Sequence, residues 1–236
     1  MGVWSVRSAG AQPALSVTSR LVFGRLSCLL GRMQPHPVVI FDLGKVLVDF
    51  DYTVAAQKIA SRSSRTPADL HAFLGSSPLL VQYESGRLTR REFYSSVRDA
   101  IGFAGDLEEF GSFFADIFSE IPGMITLHAE LRRRGFKTYI FSNTNDLAIE
   151  HVRRNFPFFA DFDGYIFSYE VGALKPQPEI YAAMEAMTGR HGVDLVYLDD
   201  RAENIAAGAA RGWRTVLHES PKQTRSALVA AGVLPA

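Results

Sequence analysis

An unbroken apolar run that ends in an aspartate, at residues 38–42, constrains the fold of this chain more than any other stretch. Residues 38–41 read Val-Val-Ile-Phe, Asp42 follows directly, and Gly44 comes two residues later. A β-branched run without alternation is typical of a strand buried on both faces, as in the centre of a parallel sheet. In open α/β sheets, ligands bind at the edge where the strands end. The stretch therefore predicts a central strand that carries a carboxylate to a ligand-binding edge, where Gly44 allows a sharp turn.

Length and composition limit the classes of protein that remain. A chain of 236 residues fits one large domain, or a core domain with a smaller insert. The 25 basic and 25 acidic residues cancel, so we expect no nucleic-acid partner and no membrane partner. The single cysteine, Cys28, excludes a disulfide framework and a cysteine zinc cluster. The sequence contains no run of about 18 apolar residues, so it predicts no transmembrane helix.

The first 32 residues differ in composition from the rest of the chain. Residues 1–32 are rich in Ser, Ala and Arg and contain no acidic residue, which is typical of an organellar transit peptide. A start assigned too early, with Met33 as the true first residue, is the interpretation that we favour, because the first strand pattern begins shortly after it. A functional tail is a third interpretation. In each case the segment stands outside the fold. We predict a cytoplasmic protein, or an organellar one if residues 1–32 are a transit peptide.

Residues 52–120 carry helix signals throughout and no strand signal. Thr66 precedes a proline and is typical of an N-cap. Thr89 and Glu92 form the pattern of a capping box, and Asp106 begins a further helix with aromatic residues at helical spacing. Because this stretch is too long for a simple crossover between strands, it predicts an all-helical cap inserted above the edge where the first strand ends.

Strand and helix patterns alternate from residue 121 to the end of the chain. Alternation of this kind predicts right-handed crossovers and a parallel sheet with helices on both faces. The fold class is therefore α/β, a Rossmann-like core built from residues 33–51 and 121–236 with the helical cap inserted at 52–120. Predicted strands cover 137–141, 165–167, 195–198 and 213–217, and predicted helices cover 127–134, 146–154, 178–187, 201–211 and 222–231.

Polar side chains stand where three of these strands end. Asp42 follows the first strand, Ser142 follows a later one, and Asp199 and Asp200 follow another. Lys175 lies in a loop between the last two. Because parallel strands end at one edge of their sheet, we expect these side chains to lie close together.

Each of these residues has an ordinary structural role as an alternative. Asp42 fits an Asp-initiated turn, and the Asp199–Asp200 pair fits a helix cap. Taken alone, Ser142–Asn143 fits a strand-to-helix turn, Lys175 a solvated surface lysine, Glu84 a helix-end charge, and Asn204 a residue that orients its neighbours. Four motifs in one order favour the functional interpretation for Asp42, Ser142–Asn143, Lys175 and the Asp199–Asp200 pair. For Glu84 and Asn204 both interpretations stay open.

Together the motifs resemble the haloacid dehalogenase superfamily, over about residues 37–220. The branch with a helical cap inserted after the first strand is the most similar. Within it, the Asp-Leu-Gly start and Glu84-x-Gly86 in the cap resemble bacterial sugar-1-phosphate phosphatases. The motifs are Phe-Asp42-Leu-Gly-Lys-Val, Phe-Ser142-Asn-Thr-Asn, Gly-Ala-Leu-Lys175-Pro and Leu-Asp199-Asp200-Arg-Ala-Glu-Asn204.

The resemblance implies a Mg²⁺-dependent phosphatase that acts on a small phosphorylated metabolite through an aspartyl-phosphate on Asp42. The chemistry of the residues agrees, because carboxylate oxygens are ligands that suit Mg²⁺ and a lysine can pair with both a carboxylate and a phosphate. The metal ligands implied are Asp42, Asp200 with Asp199 beside it, and the backbone carbonyl of Gly44. The catalytic residues implied are Asp42, Ser142 and Lys175, and the substrate-binding residues are Ser142, Asn143, Lys175 and Glu84.

The sequence departs from the family pattern at Gly44. Most phosphatases of this family carry a second aspartate there, which protonates the leaving oxygen, and such help is worth about 10²–10⁴ in rate. Either the leaving group departs with little help, as an anomeric sugar oxygen would, or another group substitutes. The candidate substitutes are Asp49, Asp51 and Glu84.

Two other functions remain open. In 2-haloacid dehalogenation Asp42 would attack carbon, and Gly44 does not exclude this, although the paired acidic residues favour a metal-dependent reaction. The other alternative is a catalytically idle domain that binds a phosphorylated ligand or a protein partner. We expect a monomer or a homodimer, with sugar phosphates as the first substrates to test.

Overall fold

The computed structural model of the protein describes residues 36–235. The predicted leader at residues 1–32, the alternative start at Met33 and the single cysteine, Cys28, lie outside the described residues. Within the described part of the chain, no helix is long and apolar enough to cross a membrane.

The strands form one parallel sheet and one small antiparallel ribbon. The parallel sheet has the order β5-β4-β1-β6-β7, so β1 is its central strand, and every neighbouring pair in it is parallel. In chain order the strands are β1 (Val38–Phe41), β2 (Val48–Phe50), β3 (Phe118–Glu120), β4 (Thr138–Ser142), β5 (Gly164–Phe167), β6 (Leu195–Asp199) and β7 (Arg214–Leu217).

The α-helices fall into an inserted group and a group that follows the alternating strands. The inserted helices are α1 (Tyr52–Ala60), α2 (Pro67–Ser76), α3 (Pro78–Glu84), α4 (Arg90–Ile101) and α5 (Leu107–Ala115). The others are α6 (Pro122–Arg133), α7 (Asp146–Asn155), α8 (Ser168–Val171), α9 (Pro178–Thr188), α10 (Ala202–Ala210) and α11 (Pro221–Ala230).

Helices cover both faces of the parallel sheet, because the side chains of β1 alternate between two apolar clusters. Val39 and Phe41 belong to one cluster, and Val38 and Ile40 belong to the other. The first cluster includes Leu131 of α6, Val152 of α7 and Leu228 of α11, and the second includes Ile180 and Met184 of α9. The predicted fold class is thereby confirmed.

The inserted helices pack around an aromatic cluster of their own. The predicted capping box of Thr89 and Glu92 at the start of α4 is present. Phe93 of α4 lies edge-on to Phe114 of α5, with 5.4 Å between the ring centroids, and Phe110 stacks on Phe114. The aromatic residues of this segment are therefore core residues, as their helical spacing indicates.

Several short elements escaped the sequence analysis, among them β2, β3 and α8. No strand was expected within 52–120, yet β3 pairs with β2, with Val48 opposite Glu120 and Phe50 opposite Phe118. Three residues, of which two are exposed, are too few to show an alternating pattern. Helix α8, of four residues, lies in a segment expected to be a loop, and α6 begins at Pro122 rather than at residue 127.

Candidate active site

The register of the sheet places two aspartates side by side. Phe41 pairs with Leu198 across β1 and β6, so the residues that follow, Asp42 and Asp199, are neighbours at the same edge. The backbone N–H of Asp42 donates to the Leu198 carbonyl at 2.9 Å, which continues the ladder to the end of β1. The Asp42 side chain turns back onto its own loop, where its Oδ1 accepts from the Leu43 N–H at 2.7 Å.

Lys175 joins these two carboxylates. Its Nζ lies 3.0 Å from Asp42 Oδ1 and 2.7 Å from Asp199 Oδ2, and it donates to the Phe141 carbonyl at 2.8 Å. The Lys175 side chain is 1% exposed. Burial works to lower the pKa of Lys175, but the two carboxylates outweigh it and hold the pKa above its ordinary value. The expected pairing of Lys175 with Asp42 is thus present, and the lysine is charged.

Asp199 is surrounded by hydrogen-bond donors. Its carboxylate accepts from the Tyr197 hydroxyl, from Asn204 Nδ2 at 3.0 Å and from the Arg201 N–H at 2.8 Å, in addition to Lys175. Burial raises the pKa of Asp199, but the charge and hydrogen bond of Lys175 outweigh it, so the pKa stays below its ordinary value. Asp199 is therefore an ionised group that orients Lys175.

Tyr197 is a site residue that the sequence analysis missed. Residues two apart on a strand share a face, so Tyr197 points to the same side of β6 as Asp199. The two-residue spacing between Tyr197 and Asp199 was the sequence signal that could have identified Tyr197 as a site residue. A buried Tyr needs a partner for its hydroxyl, and Asp199 is the acceptor.

The side chain of Asn143 positions the Lys175 loop. Asn143 Nδ2 donates to the Lys175 carbonyl at 3.0 Å, and Asn143 Oδ1 accepts from the Lys175 N–H at 2.8 Å. Ser142, the last residue of β4, is buried, and its Oγ lies 3.3 Å from the Asn143 carbonyl. Asn143 thus contacts Lys175 directly, and Ser142 precedes Asn143 at the end of β4.

Three carboxylates form an acidic cluster at this edge. One oxygen from each of Asp42, Asp199 and Asp200 lies within 4.8 Å of the others. Three carboxylates against the single Lys175 ammonium leave a formal charge of −2. Burial, assisted by Asp199, raises the pKa of Asp42 to about 7 against the pull of Lys175, and burial also raises the pKa of Asp200. Hard oxygen donors with uncompensated negative charge fit a divalent cation such as Mg²⁺.

The space at Gly44 is filled by an aromatic ring. A Cβ atom at Gly44 would lie 3.0 Å from Cε1 of Phe50, the last residue of β2. Lys45, which adopts a left-handed conformation with φ of 59°, places its Nζ 4.5 Å from the centroid of the same ring. The position where most family phosphatases carry an acid therefore has little room for one.

Two of the candidate proton donors are already engaged. Asp49 pairs with Lys45 and accepts from the Phe50 N–H at 2.8 Å, and the hydrogen bond from Lys45 lowers its pKa. Asp51 caps α1 by accepting from the Thr53 N–H at 2.8 Å, and its hydrogen bonds with Thr53 lower its pKa. Because these contacts favour the ionised form, both residues are poor proton donors.

Glu84, the third candidate, lies at the end of α3 in a close turn. The Ser168 hydroxyl donates to the Glu84 carbonyl at 2.6 Å. Gly86 has φ of 70°, and a Cβ there would lie 2.3 Å from the Tyr169 carbonyl oxygen, so only glycine fits. Burial raises the pKa of the half-buried Glu84 carboxyl to about 7, although Arg201 pulls it down. A carboxyl with this pKa can hold and release a proton near neutrality.

One cavity among the described residues lies away from the acidic cluster. That cavity, of about 630 Å³, lies between α5 and α7. Its lining includes Arg90, Glu108, Leu147 and His151 and none of the residues at the sheet edge. We place the candidate active site by the convergence of charged side chains, because cavity size alone identifies no chemistry.

The acidic cluster and Lys175 form a candidate active site at the carboxyl edge of a parallel sheet, in a fold built from alternating strands and helices. The chain belongs to the haloacid dehalogenase-like hydrolase family, whose model matches residues 36–212. The resemblance drawn from the four motifs is thereby confirmed.

Curated relatives include phosphatases. The chain is 26% identical over 199 residues to D-ribitol-5-phosphate phosphatase from Bacteroides thetaiotaomicron, a match that covers 80% of this chain and 95% of that protein. It is 24% identical to phosphatase MT3486 from Mycobacterium tuberculosis, over 81% of this chain and 91% of that protein.

Solved structures share the fold. One is a family enzyme from Bacteroides thetaiotaomicron in complex with magnesium and inorganic phosphate, with a TM-score of 0.69 and 23% identity over 78% of this chain and 95% of that one. Another is L-2-haloacid dehalogenase from Xanthobacter autotrophicus, with a TM-score of 0.57 and 18% identity over 85% of each chain. At these identities the likeness shows the fold alone.

Proposed function

We propose that this protein is a phosphomonoesterase that forms an aspartyl-phosphate on Asp42. The observation that carries the proposal is the Lys175 ammonium, 3.0 Å from Asp42 and 2.7 Å from Asp199, beside the acidic cluster. A carboxylate attacks a phosphate ester only when the negative charges of both are neutralised. A buried lysine that pairs with the nucleophile and can reach a phosphate oxygen supplies part of that charge.

The remaining charge favours a Mg²⁺ ion. In our proposal Asp42, Asp200 and the Gly44 carbonyl hold the Mg²⁺ ion. The oxygens of Asp199 already accept several hydrogen bonds, so its chief role is to orient Lys175 beside the metal ligands. Bound Mg²⁺ would neutralise the phosphate and stabilise the charge that develops in the transition state. Three oxygen donors of this kind suit Mg²⁺, which keeps several of its waters in proteins.

The chain's own residues then carry out two displacements. An Asp42 oxygen attacks phosphorus and the bond to the leaving oxygen breaks, so the phosphoryl group is held on Asp42 while the alcohol departs with a proton. Water next attacks phosphorus, and the bond between phosphorus and the Asp42 oxygen breaks. The proton that the water loses replaces the one given to the alcohol, so inorganic phosphate is released and the Asp42 carboxylate is restored. Ser142 and the backbone N–H of Asn143 bind phosphoryl oxygens, and Lys175 pairs with them.

Glu84 is our candidate for the contact with the leaving group. Asp49 and Asp51 are held ionised by their neighbours, whereas burial keeps a proton on Glu84 up to about pH 7. Glu84 would bind a hydroxyl of the substrate and, where the leaving oxygen is a poor one, donate a proton to it. In this proposal residues 52–120 are the cap that closes over the core formed by residues 33–51 and 121–236 and excludes water.

A small polyol or sugar phosphate is the substrate class that we favour. The relative named D-ribitol-5-phosphate phosphatase covers 80% of this chain, which supports a substrate with several hydroxyl groups. An alkyl ester of this kind has a poor leaving oxygen and needs the proton that Glu84 would supply. Action as a monomer or homodimer and a cytoplasmic location remain predictions.

The test is phosphate release from sugar phosphates, polyol phosphates, nucleotides and p-nitrophenyl phosphate, with Mg²⁺ and with EDTA. Release that needs the metal, is lost in Asp42→Asn and is kept in Asp49→Asn supports the proposal. Asp49 is the matched control because it is an exposed carboxylate in β2, the strand that follows the Asp42 loop, and is held by Lys45. Chloride release from 2-chloropropionate without phosphate release would indicate a dehalogenase. Phosphate binding without turnover would indicate an idle phospholigand-binding domain.

A further inference from the structure

One carboxylate of the core accepts hydrogen bonds from two side chains of the insert. Asp146 Oδ1 accepts from the Tyr83 hydroxyl, and Asp146 Oδ2 accepts from Arg90 Nε at 2.8 Å. The other arm of Arg90 donates to Glu150 at 2.7 Å, one turn further along α7. A guanidinium shared between two carboxylates has its position fixed in two directions.

The two donors lie on successive helices of the insert, α3 and α4. The Tyr83 side chain is 2% exposed and stacks on Phe93, with 4.3 Å between the ring centroids. Arg90 is the first residue of α4, directly after the Thr89 cap. Tyr83 and Arg90 therefore bracket residues 83–90, the cap turn, which contains Glu84.

The acceptor is joined directly to the phosphate-binding segment. Asp146 is the first residue of α7 and follows Asn145, which caps that helix by accepting from the Ala148 N–H. The segment 142–145, the Ser142 loop, runs from the end of β4 to this cap. An acidic residue in the first turn of a helix is stabilising without any partner, so its presence alone is unremarkable. The informative observation is that both carboxylate oxygens of Asp146 accept hydrogen bonds from side chains of the insert.

A second path links the same two segments. Ser168 Oγ accepts from the Thr144 N–H at 2.9 Å and donates to the Glu84 carbonyl at 2.6 Å. Ser168 is fully buried. The cap turn is thus bound to the Ser142 loop at Glu84 itself and, through Asp146, on both sides of it.

We propose that Asp146 is a positioning residue whose hydrogen bonds to Tyr83 and Arg90 fix Glu84 relative to the Ser142 loop. The inference rests on the proposed function, because it makes Asp146 set the distance between the group that meets the leaving alcohol and the groups that bind phosphate. Misplacement of such groups by about 1 Å costs on the order of 100-fold in rate. Loss of Asp146 should therefore slow hydrolysis most for the substrates that depend most on Glu84.

The kinetic test compares two esters. The alkyl ester is the polyol or sugar phosphate that the wild type hydrolyses fastest, and the aryl ester is p-nitrophenyl phosphate, whose leaving group needs no proton. We expect Asp146→Asn to lower kcat/KM about 10–100-fold for the alkyl ester and less than about 3-fold for the aryl ester. Tyr83→Phe, which removes one hydroxyl, should also lower kcat/KM more for the alkyl ester than for the aryl ester, but both losses should be smaller than those of Asp146→Asn.

A double-mutant cycle shows whether Asp146 acts through Glu84. In a Glu84→Gln background, Asp146→Asn should cost little more than Glu84→Gln alone, because neighbouring residues that act as a unit are not additive. Equal losses for both esters, or additive losses in the cycle, would overturn the proposal. Arg62→Gln is the control, since Arg62 pairs with Glu109 inside the insert at 3.2 Å, and it should leave both esters unaffected.

Hydrogen–deuterium exchange tests the coupling without any substrate. In Asp146→Asn we expect faster exchange in residues 83–90 and in residues 142–145 together. Faster exchange confined to the start of α7 would mean that Asp146 only stabilises its own helix, and the inference would fail. If the exchange pattern holds while no phosphate ester is hydrolysed by the wild type, the proposed function fails and the coupling stands.

Discussion

Lys175 donates a hydrogen bond of 2.7 Å to Asp199, and both side chains are withdrawn from solvent. Buried opposite charges of this kind hold each other in the ionised state, but loss of one leaves the other without compensation. The pair also fixes the ammonium beside Asp42. Loss of either partner should therefore destabilise the fold and, under the proposed function, displace the ammonium that meets the phosphate.

Lys175→Met should lower both the stability and the activity of the protein. Removal of one partner of a buried ion pair costs about 3–5 kcal/mol, and the variant should hydrolyse no phosphate ester. The free energy of unfolding from urea titration measures the first effect. Lys58→Met is the control, because the Lys58–Asp116 pair is exposed and should be worth at most about 1 kcal/mol. Equal losses in the two variants would contradict the prediction.

Gly44→Ala should destabilise the protein because its Cβ would lie 3.0 Å from the Phe50 ring. Overpacking of a filled site typically costs about 1–3 kcal/mol, and Gly44→Ala combined with Phe50→Leu should recover part of it. Thermal unfolding of the single and double variants measures the effect. Gly75→Ala, in helix α2 with nothing within 4 Å of its Cβ, should be neutral or stabilising. A neutral Gly44→Ala would mean that the ring yields easily.

Gly86→Ala should cost more than a glycine replacement that meets only backbone strain. Gly86 and Gly135 have φ of 70° and 84°, but a Cβ at Gly86 would lie 2.3 Å from the Tyr169 carbonyl, whereas nothing lies within 4 Å at Gly135. Gly135→Ala pays about 1–2 kcal/mol for the left-handed conformation. Gly86→Ala should lose a comparable free energy of unfolding to this conformation, and the clash with the Tyr169 carbonyl should add to the loss. Urea titration of both variants measures the difference, and equal losses would show that the cap turn moves freely.

Glu84→Gln should gain stability over the wild type as the pH rises. The pKa of Glu84 is raised from 4.5 to about 7 in the folded protein, so the folded state binds the proton more tightly than the unfolded chain does. The wild type therefore loses stability between about pH 4.5 and 7, and the glutamine variant does not. Urea titrations at pH 5 and pH 8 measure the change.

Glu92→Gln is the matched control for Glu84→Gln. The Thr89 hydrogen bonds lower the pKa of Glu92, so this residue is ionised at both pH values. The difference in stability between the wild type and Glu92→Gln should therefore be the same at pH 5 and pH 8. A difference for Glu84→Gln that also stays constant would show that Glu84 is solvated.

Local patterns in the chain were enough to predict the elements that depend on neighbouring residues. The apolar run 38–41 predicts β1, which is buried throughout. The Thr89–Glu92 spacing predicts the capping box at α4, and both hydrogen bonds of the box are present. Burial on both faces and the satisfaction of helix termini are encoded within a few residues, so sequence alone reveals them.

Contacts between distant segments were beyond local patterns. Asn143 was expected to bind substrate, and its side chain is engaged with the Lys175 backbone, 32 residues away. The pairing of β2 with β3 joins residues about 70 positions apart and has no signal in three residues of strand. Such contacts depend on how the crossovers bring segments together.

The sequence by itself therefore determined the class of fold, the strand ends that carry Asp42, Ser142 and Asp199, and the absence of an acid at Gly44. Only the tertiary structure decided the hydrogen-bond partners and the ionisation state of each acidic residue. It surrounds Asp199 with donors, holds Asp49 and Asp51 ionised, and leaves Glu84 with a raised pKa. The reason is that composition and spacing fix which groups are present, whereas burial and partners, set by packing, fix the state of each group.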